Sequence, residues 1–176
     1  SSGDFINNSV TTTGKYSYAY GGAIGNKGTI TNIIADFIGN SVNASGQYGY
    51  ARGGAIYNSA AIGNITGDII GNSATSTSSY AYGGAIANNG GTIGNITGDI
   101  IENSATGNNG ASGGAIFNLG TIGNITGDII GNSATGNNQA LGGAIYNYDG
   151  GTIGNITGDI IGNSATSENS YALGGA

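Results

Sequence analysis

Six of the nine acidic residues in this 176-residue chain recur at one place in a repeating pattern: Asp4, Asp36, Asp68, Asp99, Asp128 and Asp159 each stand just before an apolar pair. If the chain returns to the same position at every recurrence, these carboxylates form a column, and like charges so placed repel unless water or cations intervene. One chemistry this could support is Ca²⁺ binding, with Asp36, Asp68, Asp99, Asp128 and Asp159 as ligands beside backbone carbonyls. The other reading is a solvated turn in which each Asp accepts backbone N–H groups after Thr-Gly. The turn is preferred, because Gly63-Asn64-Ile65-Thr66-Gly67-Asp68 does not fit the spacing of calcium-binding nonapeptides. No other cofactor is expected.

Catalysis finds little to work with. There is no His and no Cys, which closes nucleophilic triads and most acid–base pairs. A retaining glycosidase needs two carboxylates about 5 Å apart. Such a pair marks a departure from a repeat, and here the Asp residues are the repeat. The expectation is a protein without enzymatic activity.

Tyrosines supply the remaining candidate chemistry. Tyr16, Tyr18, Tyr20, Tyr48, Tyr50, Tyr80, Tyr82 and Tyr171 gather just before Gly-Gly, and their alternation (YSYAY, YGY, YAY) puts them on one face. Exposed aromatic rows bind sugars or proteins, so Tyr18, Tyr20, Tyr48, Tyr50, Tyr80 and Tyr82 are candidates for contact with cell-surface glycans or proteins. The competing reading is that the rings simply stack across neighbouring repeats. Ala111-Ser112 and Ala140-Leu141 break the row, which counts against a continuous binding surface. A threonine column (Thr66, Thr97, Thr126, Thr157) suggests ice binding, but a single column with Asp two residues later is a poor match to a flat Thr array. The Asn-Ile-Thr sequons at 64–66, 95–97, 124–126 and 155–157 lie inside the repeated segment and read as structural.

Composition narrows the classes further. The chain carries 38 Gly, no Pro, a formal charge of −6 and only three basic residues, Lys15, Lys27 and Arg52. Nucleic acid is not an expected partner, because its binding needs clustered cations that release counterions. Apolar runs fall well short of the ~18 residues of a spanning helix, so membrane insertion is not expected either. Gly without a three-residue period excludes collagen.

The elements that must hold these residues follow from self-similarity. Ile62–Ala74 recurs nearly letter for letter at 93–105, 122–134 and 153–165, with a looser copy at 30–42 and a tail at 4–10. Gly-Gly-Ala-Ile precedes each full copy at 21–24, 53–56, 83–86, 113–116 and 142–145. The chain therefore divides into a partial repeat at 1–20, repeats at 21–52, 53–82, 83–112, 113–141 and 142–173, and the start of another at 174–176. Length changes fall between Asn-Ser-Ala and the next Gly-Gly-Ala, which predicts a loop on one face of a stack.

Each Gly in a helix costs roughly 1 kcal/mol relative to Ala, so the Gly content argues against helix. Short Ile/Thr runs cut by Gly-Asn, Thr-Gly-Asp and Gly-Gly predict three strands per unit, near 54–58, 61–66 and 68–74. Stacked in parallel at ~4.8 Å, equivalent residues form columns. Four columns supply a core: Ile56 and its equivalents, those of Ile62 and Ile65, and Phe5-Phe37-Ile69-Ile100-Ile129-Ile160. Asn40, Asn72, Asn103, Asn132 and Asn163 are expected to form an amide ladder. Of Ile69 and Ile70 one must face outward, and the sequence does not say which.

The paired motifs, GGAI in each unit followed by FINN at Phe5–Asn8, FIGN at Phe37–Asn40 and their Ile versions from Ile69–Asn72 onward, resemble the repeats of chlamydial polymorphic outer-membrane proteins and related bacterial autotransporter passengers. The resemblance covers nearly the whole chain. It implies a right-handed parallel β-helix exposed on a Gram-negative surface, often as an adhesin. The expected fold is thus all-β, a right-handed, three-sided parallel β-helix (β-solenoid) with about 30 residues per rung, extracellular or on the bacterial surface. Neither end shows a charged cap, and Gly174-Gly175-Ala176 falls in mid-motif. The chain is expected to be a segment of a longer array or to stack head-to-tail with copies of itself, as a fibre subunit or stalk.

Overall fold

The computed structural model describes residues 3–176. Among these residues every element is a strand, and every strand pairs in parallel with its equivalents in the neighbouring turns, on both sides except in the first and last turns. The chain is a β-solenoid. Its turn length follows the Asn ladder, where neighbouring partners are separated by 29 to 32 residues.

The turn at 53–82 shows how sequence becomes shape. Gly53 sits at φ 66° and opens a corner that an L side chain rarely enters. At Gly54 a Cβ would collide with the carbonyl oxygens of Gly84 and Ser73, so the Gly-Gly pair is a steric requirement of this corner. The first wall, Ile56–Asn58, points Ile56 inward. The second wall, Ala61–Thr66, buries both Ile62 and Ile65. A regular strand would send residues three apart to opposite faces. The local kink at Gly63-Asn64 turns both inward, and in later turns this wall is divided into Thr92–Ile93 and Ile96–Thr97. The third wall is the pair Ile69–Ile70, with Ile69 fully buried and Ile70 on the outer side. This settles the choice between them.

These three walls enclose one apolar core built from the four expected columns. Each buried Ile or Phe contributes roughly 1.5–3 kcal/mol.

The expectation of three strands per unit is corrected here: each turn has five walls, made of five strands in the units at 21–52 and 53–82 and of six where the second wall is divided. The segment expected at 68–74 breaks at Gly71, whose φ of 62° redirects the chain, and a fourth wall starts at Ser73–Ser76. The Thr/Ser/Tyr-rich stretch, expected to be a loop, carries the fifth wall at Tyr80–Tyr82. The fourth and fifth walls face each other across a second, thin core made almost entirely of alanine, including Ala74, Ala81, Ala105 and Ala111. Length varies at the tip joining them, at residues 45–49, 77–79 and 108–109. Against the expectation of a single variable loop, it also varies at the corner between the first and second walls, which spans 59–60, 89–91 and 148–151 in turns of different length. The register on either side is unchanged.

Two amide ladders stitch the turns inside the wall corners. In the expected one, Asn72 donates from its backbone N–H and from Nδ2 to Asn103 Oδ1, both at 2.9 Å, and Nδ2 also donates to the Phe37 carbonyl at 2.9 Å. The second, at Asn26, Asn58, Asn88, Asn118 and Asn147, is equally regular, with Asn58 Nδ2 donating to Asn88 Oδ1 at 2.9 Å. Buried amides bonded on both sides remove the penalty that an orphaned polar group would carry.

Candidate functional site

The Asp column lies on the turn between the second and third walls. Asp68 Oδ1 accepts the backbone N–H of Asp99 at 2.9 Å, and Asp36 and Asp128 accept those of Asp68 and Asp159 at 2.8 Å each. Asp99 Oδ1 accepts the N–H of Asp128 at 2.9 Å. One oxygen of each of these carboxylates is thus spent on holding the next turn, and among the described residues no three acidic, His or Cys side chains group together.

The tyrosines follow from the strand they occupy. In Tyr80–Tyr82 the middle residue is an inward alanine, so both tyrosines face out. Tyr18, Tyr50 and Tyr80 form one column, stacked with ring centroids 5.6 and 6.0 Å apart. Tyr48 stands apart with Tyr16, at 5.3 Å. Tyr20 and Tyr82 hold the other outward position and lean toward the first wall, Tyr20 onto Tyr57 at 4.7 Å and Tyr82 against Phe117 at 4.8 Å. Such aromatic pairs add about 0.5–1.5 kcal/mol beyond burial. The six candidate tyrosines therefore lie on walls or, for Tyr48, beside one, rather than on free loops, and three of them, Tyr50, Tyr80 and Tyr82, converge.

Two of them, Tyr50 and Tyr82, meet Arg52, which takes the column position between Tyr20 and Tyr82. Its guanidinium carbon is 5.1 Å from the Tyr82 ring centroid and 5.9 Å from that of Tyr50, a cation–π arrangement. Nη1 donates to Asn89 Oδ1 at 2.9 Å, while Nε is buried without a hydrogen-bond partner.

Beyond Tyr82 the two outward columns change. Tyr80 is followed by Gly110, Gln139 and Tyr171, and Tyr82 by Ser112, Leu141 and Leu173. The missing rings leave a cleft of about 360 Å³, floored by Ser112 and Leu141 and walled by Tyr82, Phe117, Tyr146 and Tyr148. Gly110 shapes it too: a Cβ there would collide with the side chain of Gln139, which lies across it. The Tyr171 hydroxyl donates to Gln139 Oε1 at 2.7 Å and closes the far end. Burial pushes the Tyr82 hydroxyl up to about 12, with Arg52 pulling the other way, and burial also raises Tyr20 and Tyr146. These hydroxyls stay protonated and able to donate throughout the neutral range.

In the sequence the breaks at Ala111-Ser112 and Ala140-Leu141 count against a binding surface; in three dimensions they make its concave part. Arg52, Phe117, Tyr146 and Tyr148 carried no sequence expectation. The available signal was Arg52 itself, one of only three basic residues and the one in line with the tyrosines. No protein-family model, curated protein or solved structure matches the chain.

Proposed function

We propose that this chain is a structural, non-enzymatic repeat element, a stiff stalk or fibre segment on the outside of a bacterial cell that extends turn upon turn. One observation carries the reading: each wall is bonded to its equivalents in neighbouring turns, and the two end faces are complementary. At one end Ile153, Ile156 and Ile160 line an apolar depression; at the other Phe5, Ile24, Ile30 and Ile33 line another. The last complete ladder step is Asn132 Nδ2 to Asn163 Oδ1, and the first is Asn8 Nδ2 to Asn40 Oδ1. A further turn of the same kind therefore meets Asn163 as a donor and Asn8 as an acceptor. A second copy of the chain offers that turn, in a heterologous contact that grows without closing. Placement outside the cell rests on the resemblance of the paired GGAI and FxxN motifs to surface passengers.

Negative-stain electron microscopy of the 176-residue chain across a concentration series tests this. Unbranched fibres that lengthen with concentration are expected. Separate rods about 24 Å long, five turn spacings of ~4.8 Å, at every concentration would refute stacking between copies.

A further inference from the structure

We propose that the cleft over Ser112 is a saccharide subsite for an acidic sugar, a hexuronate unit of an oligosaccharide, seated with its ring on the aromatic walls and its carboxylate on Arg52. The location is where the repeat departs from itself. Gly110 and Ser112 replace a Tyr pair, and the resulting space is at the lower end of the roughly 300–1,000 Å³ typical of small-ligand sites, room for about one or two sugar rings.

The chemistry of the lining selects the class. A pyranose has an apolar C–H face and a hydroxylated rim. The aromatic rings of Tyr82, Phe117, Tyr146 and Tyr148 supply apolar surface for the first, and the tyrosine hydroxyls with Ser112 and Gln139 match the second. Arg52 selects the charge. It is the one ionic group lining the cleft, no carboxylate is set against it, and Nη1, bonded to Asn89, is the guanidinium nitrogen already engaged, while Nε is buried out of a ligand's reach. A planar guanidinium with free donors matches a carboxylate through paired N–H···O bonds. This role is separate from stacking of turns, so loss of one leaves the other standing.

Isothermal titration of the 176-residue chain with tetragalacturonate, and with neutral cellotetraose for comparison, tests the proposal. The acidic oligomer is expected to bind at least about ten-fold more tightly than the neutral one, the size of one charge-assisted hydrogen bond. Raised salt shrinks that margin. Arg52→Gln removes the preference and leaves the weaker neutral binding. Ser112→Tyr, which restores the repeat and fills the cleft, abolishes both. Tyr18→Ser, on the same flank outside the cleft, changes neither, and circular dichroism confirms the fold of each variant. Absence of binding to wild type, equal affinity for the two oligomers, or undiminished binding by Ser112→Tyr would each overturn it.

Discussion

At Glu102 a single residue works against its own repeat. It holds φ 53° at the position where Gly39, Gly71, Gly131 and Gly162 lie between 62° and 65°. Left-handed backbone costs an ordinary L residue about 1–2 kcal/mol, and the greater freedom of unfolded Gly returns about 0.5–1 kcal/mol of that. Glu102→Gly is therefore expected to stabilise the chain by roughly 0.5–1 kcal/mol in urea unfolding. Tyr82 makes the second residue-scale prediction. Its hydroxyl titrates near 10 when unfolded and is raised to about 12 by burial. Between those values the folded state holds a proton that the unfolded state has lost, so the stabilisation is fully present below pH 10 and disappears as pH rises toward about 12. Tyr82→Phe should flatten that alkaline slope, measured as melting temperature against pH.

At the scale of the element, the ladders and the alanine core differ in what they tolerate. Asn103 accepts from Asn72 N and Nδ2 and donates to the Ile69 carbonyl at 2.8 Å and to Asn132 Oδ1 at 3.0 Å, all in the interior. Asn103→Ala strands several of these groups and is expected to cost about 3 kcal/mol or more. Asn95 belongs to an exposed ladder that accepts a single N–H from Asn124 at 2.9 Å, where water replaces the lost partner. Asn95→Ala should cost under about 1 kcal/mol, and urea unfolding of the pair gives the contrast. The Ala81 position is alanine in all six turns, Ala19, Ala51, Ala81, Ala111, Ala140 and Ala172, because the fourth and fifth walls lie face to face there. Ala81→Leu overfills that gap and should destabilise by about 1–3 kcal/mol by the same measurement.

These elements also show where the sequence speaks and where it is silent. The Ile columns and the Asn72 ladder could be read directly, because bulky or amide side chains recurring in phase admit few other arrangements. The alanine core could not. Ala-Thr-Ser runs have little hydrophobic contrast, and variable length at the 77–79 tip disguised the constant strands on each side as one loop. The cleft was hidden for a related reason: a concavity is made by residues that are small, and Gly110 and Ser112 look like gaps in a motif until the walls beside them are placed.

For the whole molecule, the stacked turns imply that stability is nearly a sum over turns and the interfaces between them. Removing residues 83–112 joins Tyr82 to Gly113, the same Tyr-Gly-Gly junction that Tyr82 makes with Gly83. Every wall then meets an equivalent wall, with Ile56 opposite Ile116 where Ile86 had stood between them. This shortened chain is expected to keep the β-type circular dichroism spectrum and to unfold with the stability of one turn fewer. Deleting only 83–97 removes the first and second walls and their corner. The third wall of that turn is then brought against Gly-rich corners, and Ile100 loses its place in the Phe37-Ile69-Ile129 column. That chain should aggregate or lose its cooperative transition, although it loses fewer residues. The comparison isolates register from mass. If both deletions were equally damaging, the turns would not be interchangeable, and the picture of a rod that extends by repeating itself would fail with them.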